Sequence, residues 1–284
     1  MRRHGRTVRV IAALTLALAA LHCVAVAGTA QPSTSVHLED LTWVEVRDRI
    51  AGGAAIAIIP VGGTEQNGPH IALGKHNARV RALAGRIAEV LGDTLVAPVL
   101  AYVPEGSLDA PAGHVRFPGT LSVSQDAFES MLVSAARSLC LHGLRHVILI
   151  GDHGGYQSSL AAAAARANLQ TAGRCRVHAL PEYYASAQDG FSRQLRDAGY
   201  PQSEIGTHAG LADTALTMAV ARAMVRTEAL VRAGREGGAV GVDGDPARAS
   251  AALGERGAAT IVAASVEAIR RLTGRMPPRL RSVR

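Results

Sequence analysis

The sequence is poor in aromatic residues, with 3 Phe, 5 Tyr and 1 Trp among 284. A single-strand nucleic-acid binder needs aromatic platforms beside clustered cations, and here the arginines are scattered along the chain, so that class is excluded. Cysteine is also scarce: Cys23, Cys140 and Cys175 are too few for a disulfide-stapled scaffold. Charged residues make up 19% and apolar residues 48%, which excludes a disordered chain and supplies a sizeable core. Long apolar runs are missing as well. The run Val10 to Leu21 stops at His22, short of the roughly 20 residues that span a bilayer.

That run is instead the middle of a three-part export signal. Arg2, Arg3, Arg6 and Arg9 precede it and the small residues Ala25-Val26-Ala27 follow it. We expect residues 1–27 to be a signal peptide and the mature protein to be periplasmic or secreted, with no stable membrane anchor. The formal charge of +7 includes those four arginines, so the mature chain carries only about +3. No nucleic-acid partner is expected. Residues 28–37 read as a linker, 38–275 as one domain and 276–284 as a basic tail. Nothing in the spacing of Cys140 and Cys175 brings their Cα atoms within reach, so two buried thiols are expected.

Within the domain, helices and strands alternate. Thr42 and Glu45 are spaced as a capping box before a first helix. The apolar run Ala54 to Val61, between glycine pairs, predicts a strand buried on both faces. Helix 79–91 then leads to strand 94–100, helix 125–141 to strand 146–150, and helix 158–172 to strand 176–180. Two further helices are predicted at 212–225 and 258–272. This order predicts an α/β fold with a mostly parallel sheet, whose ligand sites lie in the loops after the strands.

Those loops carry the ligand-type side chains. The first reads GGTEQNGPHIALGKHN, residues 62–77, and holds Glu65, Asn67, His70 and His76. The second supplies Glu105, Asp109 and His114, the third, GDHGGY, supplies Asp152 and His153, and a later segment supplies His208 and Asp213. Carboxylates and imidazoles brought to one sheet edge point to a divalent-metal site.

Five segments in order resemble the creatininase family, the creatinine amidohydrolases and their relatives, over about residues 38–273. They are GGTEQNGPHIA with His76 eleven residues after Glu65, then GHVRFPGT, GDHGGY, HAGLADTA and GVDGDP. The resemblance implies a three-layer α/β/α fold, often a hexamer, and a metal-dependent hydrolase of non-peptide C–N bonds in small cyclic or linear amides. It implies Glu65, position 76 and His153 as ligands of one metal, and position 67 with the shared position 76 as ligands of another. Asp213 falls at a carboxylate at or beside the metals. His208 is placed to protonate the leaving nitrogen, so His208 and Glu65 are the expected catalytic residues.

Three positions depart from the family pattern: Asn67 replaces His, His76 replaces Asp and Asp213 replaces Glu. A carboxylate has two oxygens to bridge two cations, whereas a neutral imidazole does not normally bridge. We therefore expect one metal per chain, Zn²⁺ with Mn²⁺ or Fe²⁺ as alternatives, held by Glu65, His76, His153 and Asp213. Asn67, His114, Asp152 and Asp245 are the expected substrate contacts, and a homo-oligomer is expected. The competing class is a non-catalytic periplasmic binding or scaffold protein on the same fold. A pure scaffold has no reason to hold a ligand set together with a proton donor.

Overall fold

Strand β1 (Ile56–Val61) is buried along its whole length, as a strand covered on both faces must be. In the computed structural model, which describes residues 33–274, it pairs in parallel with β2 (Thr94–Val96) and β3 (His146–Gly151). Strand β4 (Arg176–Ala179) extends β3, so the order is β2-β1-β3-β4. The expected signal peptide and basic tail lie outside the described residues. β2 is shorter than the predicted 94–100 because Pro98 has no N–H to continue a ladder. Beyond Pro98 the chain bridges β1 again at Val61–Leu100.

Alternation of side chains across the strands builds two cores. Ile56, Ile58, Ile148 and Ile150 face α2 (Lys75–Leu91) on one side of the sheet, while Ile59, Val61, Val147 and Leu149 face α3 (Gln125–Leu141) and α4 (Gln157–Thr171) on the other. This is the expected three-layer α/β/α arrangement. The first helix, α1 (Trp43–Ala51), starts at the predicted capping box, with Glu45 N donating to Thr42 Oγ1 and Thr42 N donating to the Glu45 carboxylate. Helix α2 begins four residues earlier than predicted, which moves His76 from a loop onto its first turn. Residues 181–197, for which no element was predicted, are helical: α5 (Pro181–Ala185) runs through a π turn into α6 (Ser192–Asp197). The remaining helices are α7 (Gln202–Ile205), α8 (Leu211–Val220), α9 (Leu230–Glu236) and α10 (Ala251–Leu272).

The two cysteines are joined, which corrects the expectation of free thiols. Cys140 ends α3, Cys175 precedes β4, and their Cα atoms are 5.6 Å apart. Pairing of β3 with β4 brings these points together, a fact that the sequence separation of 35 hides. Chain-entropy arguments give a bridge across a loop of that size about 3 to 4 kcal/mol.

The connection from β1 runs outward to β2, and the one from β2 returns across β1 to β3. The crevice of such a sheet opens at this reversal, beyond the carboxyl ends of β1 and β3. Val61 and Gly151 are register partners there, so the loops that follow them emerge side by side.

Candidate metal centre

Glu65 is the hub of that crevice. The loop carrying it passes over the start of α2 at Gly62, where a Cβ would lie 2.8 Å from the Asn77 Cα, so only glycine fits. The Glu65 side chain is fully buried. Its Oε1 lies 2.7 Å from His76 Nε2, 3.8 Å from His208 Nδ1 and 3.9 Å from Lys75 Nζ, and its Oε2 lies 3.5 Å from His153 Nε2 and 3.8 Å from His114 Nε2. Two groups of ligand atoms therefore converge on one carboxylate: Glu65, His76 and His153 in the first, Glu65, His114 and His208 in the second.

Hydrogen bonds set these groups apart. Gln66 accepts from Gly68 N at Oε1, which aims its amide hydrogens at Gly241 O and His114 Nδ1. His114 Nδ1 is thus an acceptor, and its proton sits on Nε2, facing Glu65. His208 Nε2 donates to the carbonyl of Gln66 at 3.0 Å, which leaves a lone pair on Nδ1. In the first group, His76 Nδ1 bonds the Asp152 carboxylate at 2.6 Å, the carboxylate–histidine arrangement that turns Nε2 toward a metal. His153 presents Nε2, while Gly155 N donates to its Nδ1 at 3.2 Å. Coordination through Nε2 would move the ring proton to Nδ1 and release this bond, the longest of the set.

Asp152 lies behind His76 and is buried. Oδ2 takes His76 and Arg79, and Oδ1 accepts from Tyr183 OH at 2.9 Å, so this carboxylate holds a ligand in place and lines no open surface. Asp152→Asn is expected to weaken metal binding about 10- to 100-fold, as metal titration followed by calorimetry will show, and to lower the melting temperature as well, because buried Arg79 loses one of its two carboxylate partners. Asp213, in the first turn of α8, is also committed. Oδ1 accepts from Arg79 Nη1 (2.6 Å), and Oδ2 from Lys75 Nζ (2.8 Å) and Ala209 N (2.9 Å).

Buried acceptors without donors mark where positive charge is needed. Glu65 Oε2, Asn67 Oδ1 and both oxygens of Glu105 have no hydrogen-bond partner. Burial would raise the Glu65 pKa, but the hydrogen bond and charge of His76, with Lys75 and His153, outweigh it and keep the group ionised. Burial and the adjacent Glu65 push Glu105 up to about 9. Glu105 therefore holds a proton near pH 7, and its Oε2, 3.7 Å from His153 Nε2 on the side of the first group, could join that ligand set only where a cation takes the place of this proton. The donor set of carboxylates and imidazoles fits a divalent cation. Burial, with the neighbouring His76, lowers His153 to about 4; burial, with Lys75, lowers His208 to about 3. Both imidazoles are therefore neutral near pH 7.

His70 is buried beside the centre, bonded to Thr214 Oγ1, and burial lowers its pKa from 6.5 to about 4. As pH falls the unfolded chain takes up this proton first. The stability this gives is complete above pH 6.5 and drains as pH falls from about 6.5 to about 4. Thermal melts of the metal-free protein across that interval should slope downward, and more gently in His70→Gln.

Of the expected residues, Glu65, His76, His153, His114 and His208 come together. Asn67 sits below them, its amide donating to Glu65 O. Asp245 lies apart in a turn, accepting from Ala247 N. Its neighbour Asp243 pairs backbone to backbone with His208 and lines a 660 Å³ cleft with Gln66, His114, Arg116, Phe117 and His208. Lys75, Arg79, Gln66 and Tyr183 were not anticipated. The signal for the first two was present: Lys75, Arg79, Leu83 and Ile87 form one buried helical stripe, where two cations are out of place.

Fold and site together define a metal-dependent hydrolase acting on C–N amide bonds. Residues 39–269 match the profile of creatininase, described as creatinine amidohydrolase, and the chain belongs to the creatininase family. It is 31% identical over 240 residues to the mycofactocin precursor peptide peptidase of Mycolicibacterium smegmatis, a match covering 76% of this chain and 85% of that one. It is 33% identical over 128 residues to the creatinine amidohydrolase of Pseudomonas putida, covering 45% of this chain and 48% of that one. A crystal structure of creatinine amidohydrolase superposes with a TM-score of 0.71 at 27% identity, covering 84% of this chain and 98% of the other. Creatininase has been solved in forms described as Zn-Zn type and as Mn.

Proposed function

We propose that this protein is an exported amidohydrolase that cleaves the C–N bond of a small cyclic or linear amide in the cleft beside Glu65. The observation that carries the reading is the convergence of ligand atoms of Glu65, His76 and His153, beside which Glu65 Oε2 and the Glu105 carboxyl are buried without a hydrogen-bond partner. One divalent cation per chain, Zn²⁺ with Mn²⁺ or Fe²⁺ as alternatives, would be held by these residues. When bound it supplies Lewis acidity to the carbonyl oxygen and to water.

The chain's own groups do the rest. Asp152 fixes His76, and Gln66 fixes both His114 and His208. His208 Nδ1, neutral and unprotonated, takes the proton of the attacking water and hands it to the departing nitrogen, which is too basic to leave as an amide anion. The 660 Å³ cleft suits a small molecule, with Arg116 and Asp243 at its rim. Export is supported by the segment 1–27 and by the Cys140–Cys175 bridge, which persists in an oxidising compartment. A homo-oligomer, hexameric as the family resemblance implies, belongs to the same proposal, and light scattering checks it.

A second reading is a short peptide as substrate. It is favoured by the mycobacterial peptidase, which this chain matches over 85% of that protein's length. A hydrolysis screen over lactams, cyclic ureides, formamides and short peptides, with Zn²⁺ or Mn²⁺ supplied, separates the two. Turnover confined to small amides supports the first and turnover confined to peptides the second. Thermal stabilisation by these compounds without turnover would overturn both.

A further inference from the structure

We infer that His114 is the oxyanion donor of this centre, its Nε2–H holding the carbonyl oxygen of the amide as negative charge builds there, beside the base His208. The tautomer is fixed by Gln66. Its Oε1 accepts from Gly68 N at 2.9 Å, so its two amide hydrogens are left for Gly241 O at 3.0 Å and His114 Nδ1 at 2.6 Å. Two backbone groups thus decide which end of this buried amide is the donor. The arrangement is built for that purpose at Gly241, which has φ 76° and where any Cβ would collide with the Gln66 amide. With Nδ1 spent as an acceptor, the ring proton of His114 is on Nε2.

That N–H has no acceptor of its own. The nearest carboxylate oxygen, Glu65 Oε2, is 3.8 Å away, beyond hydrogen-bond distance. A protonated Nε2 has no lone pair to give a metal ion, so convergence with Glu65 and His208 does not make His114 a ligand. What remains is the cleft, which His114 and His208 both line, with the His114 side chain 32% exposed. The two rings lie against each other, centroids 4.1 Å apart, and their ligand-type atoms fall within 4.8 Å of one another. The oxygen and nitrogen of one amide are about 2 Å apart, so a single amide group can meet both rings. One presents a proton and the other a lone pair, which are the two things that attack at an amide carbon requires. Gln66 acts through both rings and is a positioning residue.

This role rests on the amidohydrolase reading, and the experiment separates the two. Wild type, His114→Gln and His114→Phe are loaded with Zn²⁺, and kinetics are measured on the amide that wild type hydrolyses fastest in the screen. His114→Phe should lower kcat about 10²- to 10³-fold, the usual effect of losing one oxyanion donor, with KM and bound Zn²⁺ nearly unchanged. His114→Gln keeps an N–H and should recover at least about tenfold of that loss. Solid-state ¹⁵N NMR of histidine-labelled protein, with the His114→Gln spectrum subtracted, should show His114 protonated at Nε2 and bare at Nδ1. That spectrum needs no substrate, and it stands even where the phenylalanine variant fails to fold. A bare or metal-bound Nε2 overturns the role. So does Zn²⁺ lost from folded His114→Phe, or a kinetic effect confined to KM. Turnover by wild type with kcat unchanged in His114→Phe overturns the role alone. A wild type that hydrolyses nothing in the screen overturns the amidohydrolase reading, and this role with it.

Discussion

His208→Ala is expected to leave the bound metal unchanged and to lower kcat by roughly 10²- to 10⁴-fold, the range that general acid–base catalysis supplies. The separation of the two effects comes from the tautomer. His208 Nε2 is tied to Gln66 O, and Nδ1 stands 3.8 Å from Glu65 Oε1, outside the group of ligand atoms that Glu65 forms with His76 and His153. Its proton affinity is held down first by burial and then by Lys75, so it enters the reaction as a base and becomes an acid only after taking a proton. Aim matters as much as affinity. Ala209 adopts a left-handed backbone (φ 55°), a costly conformation for alanine, and the strand-like pairing of His208 with Asp243 holds the ring in place. Metal content by mass spectrometry and steady-state kinetics on the same preparation check the prediction. Near-normal turnover would move the proton transfer to His114 or Glu105.

Glu65→Gln should abolish metal binding and activity together, and destabilise the fold by about 3 to 5 kcal/mol, the usual consequence of removing one partner from a buried ionic network. The amide keeps the volume, so the effect reads out charge. Without the carboxylate, the Lys75 ammonium has only Asp213, already shared with Arg79, and the acceptor facing His76 Nε2 loses its charge. His153→Ala should also lose the metal, but its stability cost should be smaller because His153 is neutral and lies at the edge of the cluster. Denaturant unfolding of the two metal-free variants distinguishes them. Equal stabilities would show that Glu65 serves as a ligand without organising the network.

Much of this architecture was determined by local rules that any stretch of the sequence carries with it. The capping box at Thr42, the apolar run to Val61, and the helix 125–141 follow from short-range hydrogen bonding and side-chain periodicity, and they appear with the predicted bounds or within two residues of them. The parallel order follows from strand–helix alternation, and it places Glu65 and His153 at one edge before any coordinate is known. Tertiary structure decided the rest, because it depends on distances between residues far apart in the chain. The disulfide needed β3 to pair with β4. The commitment of Asp213 to Lys75 and Arg79 needed α8 to pack against the start of α2, and the fixed tautomers of His114 and His208 needed Gln66 to lie between them. Spacing in a sequence names which side chains are available for chemistry. Their partners, and hence their charges and free lone pairs, are set only when distant segments meet in a buried, low-dielectric place where every donor and acceptor must be satisfied.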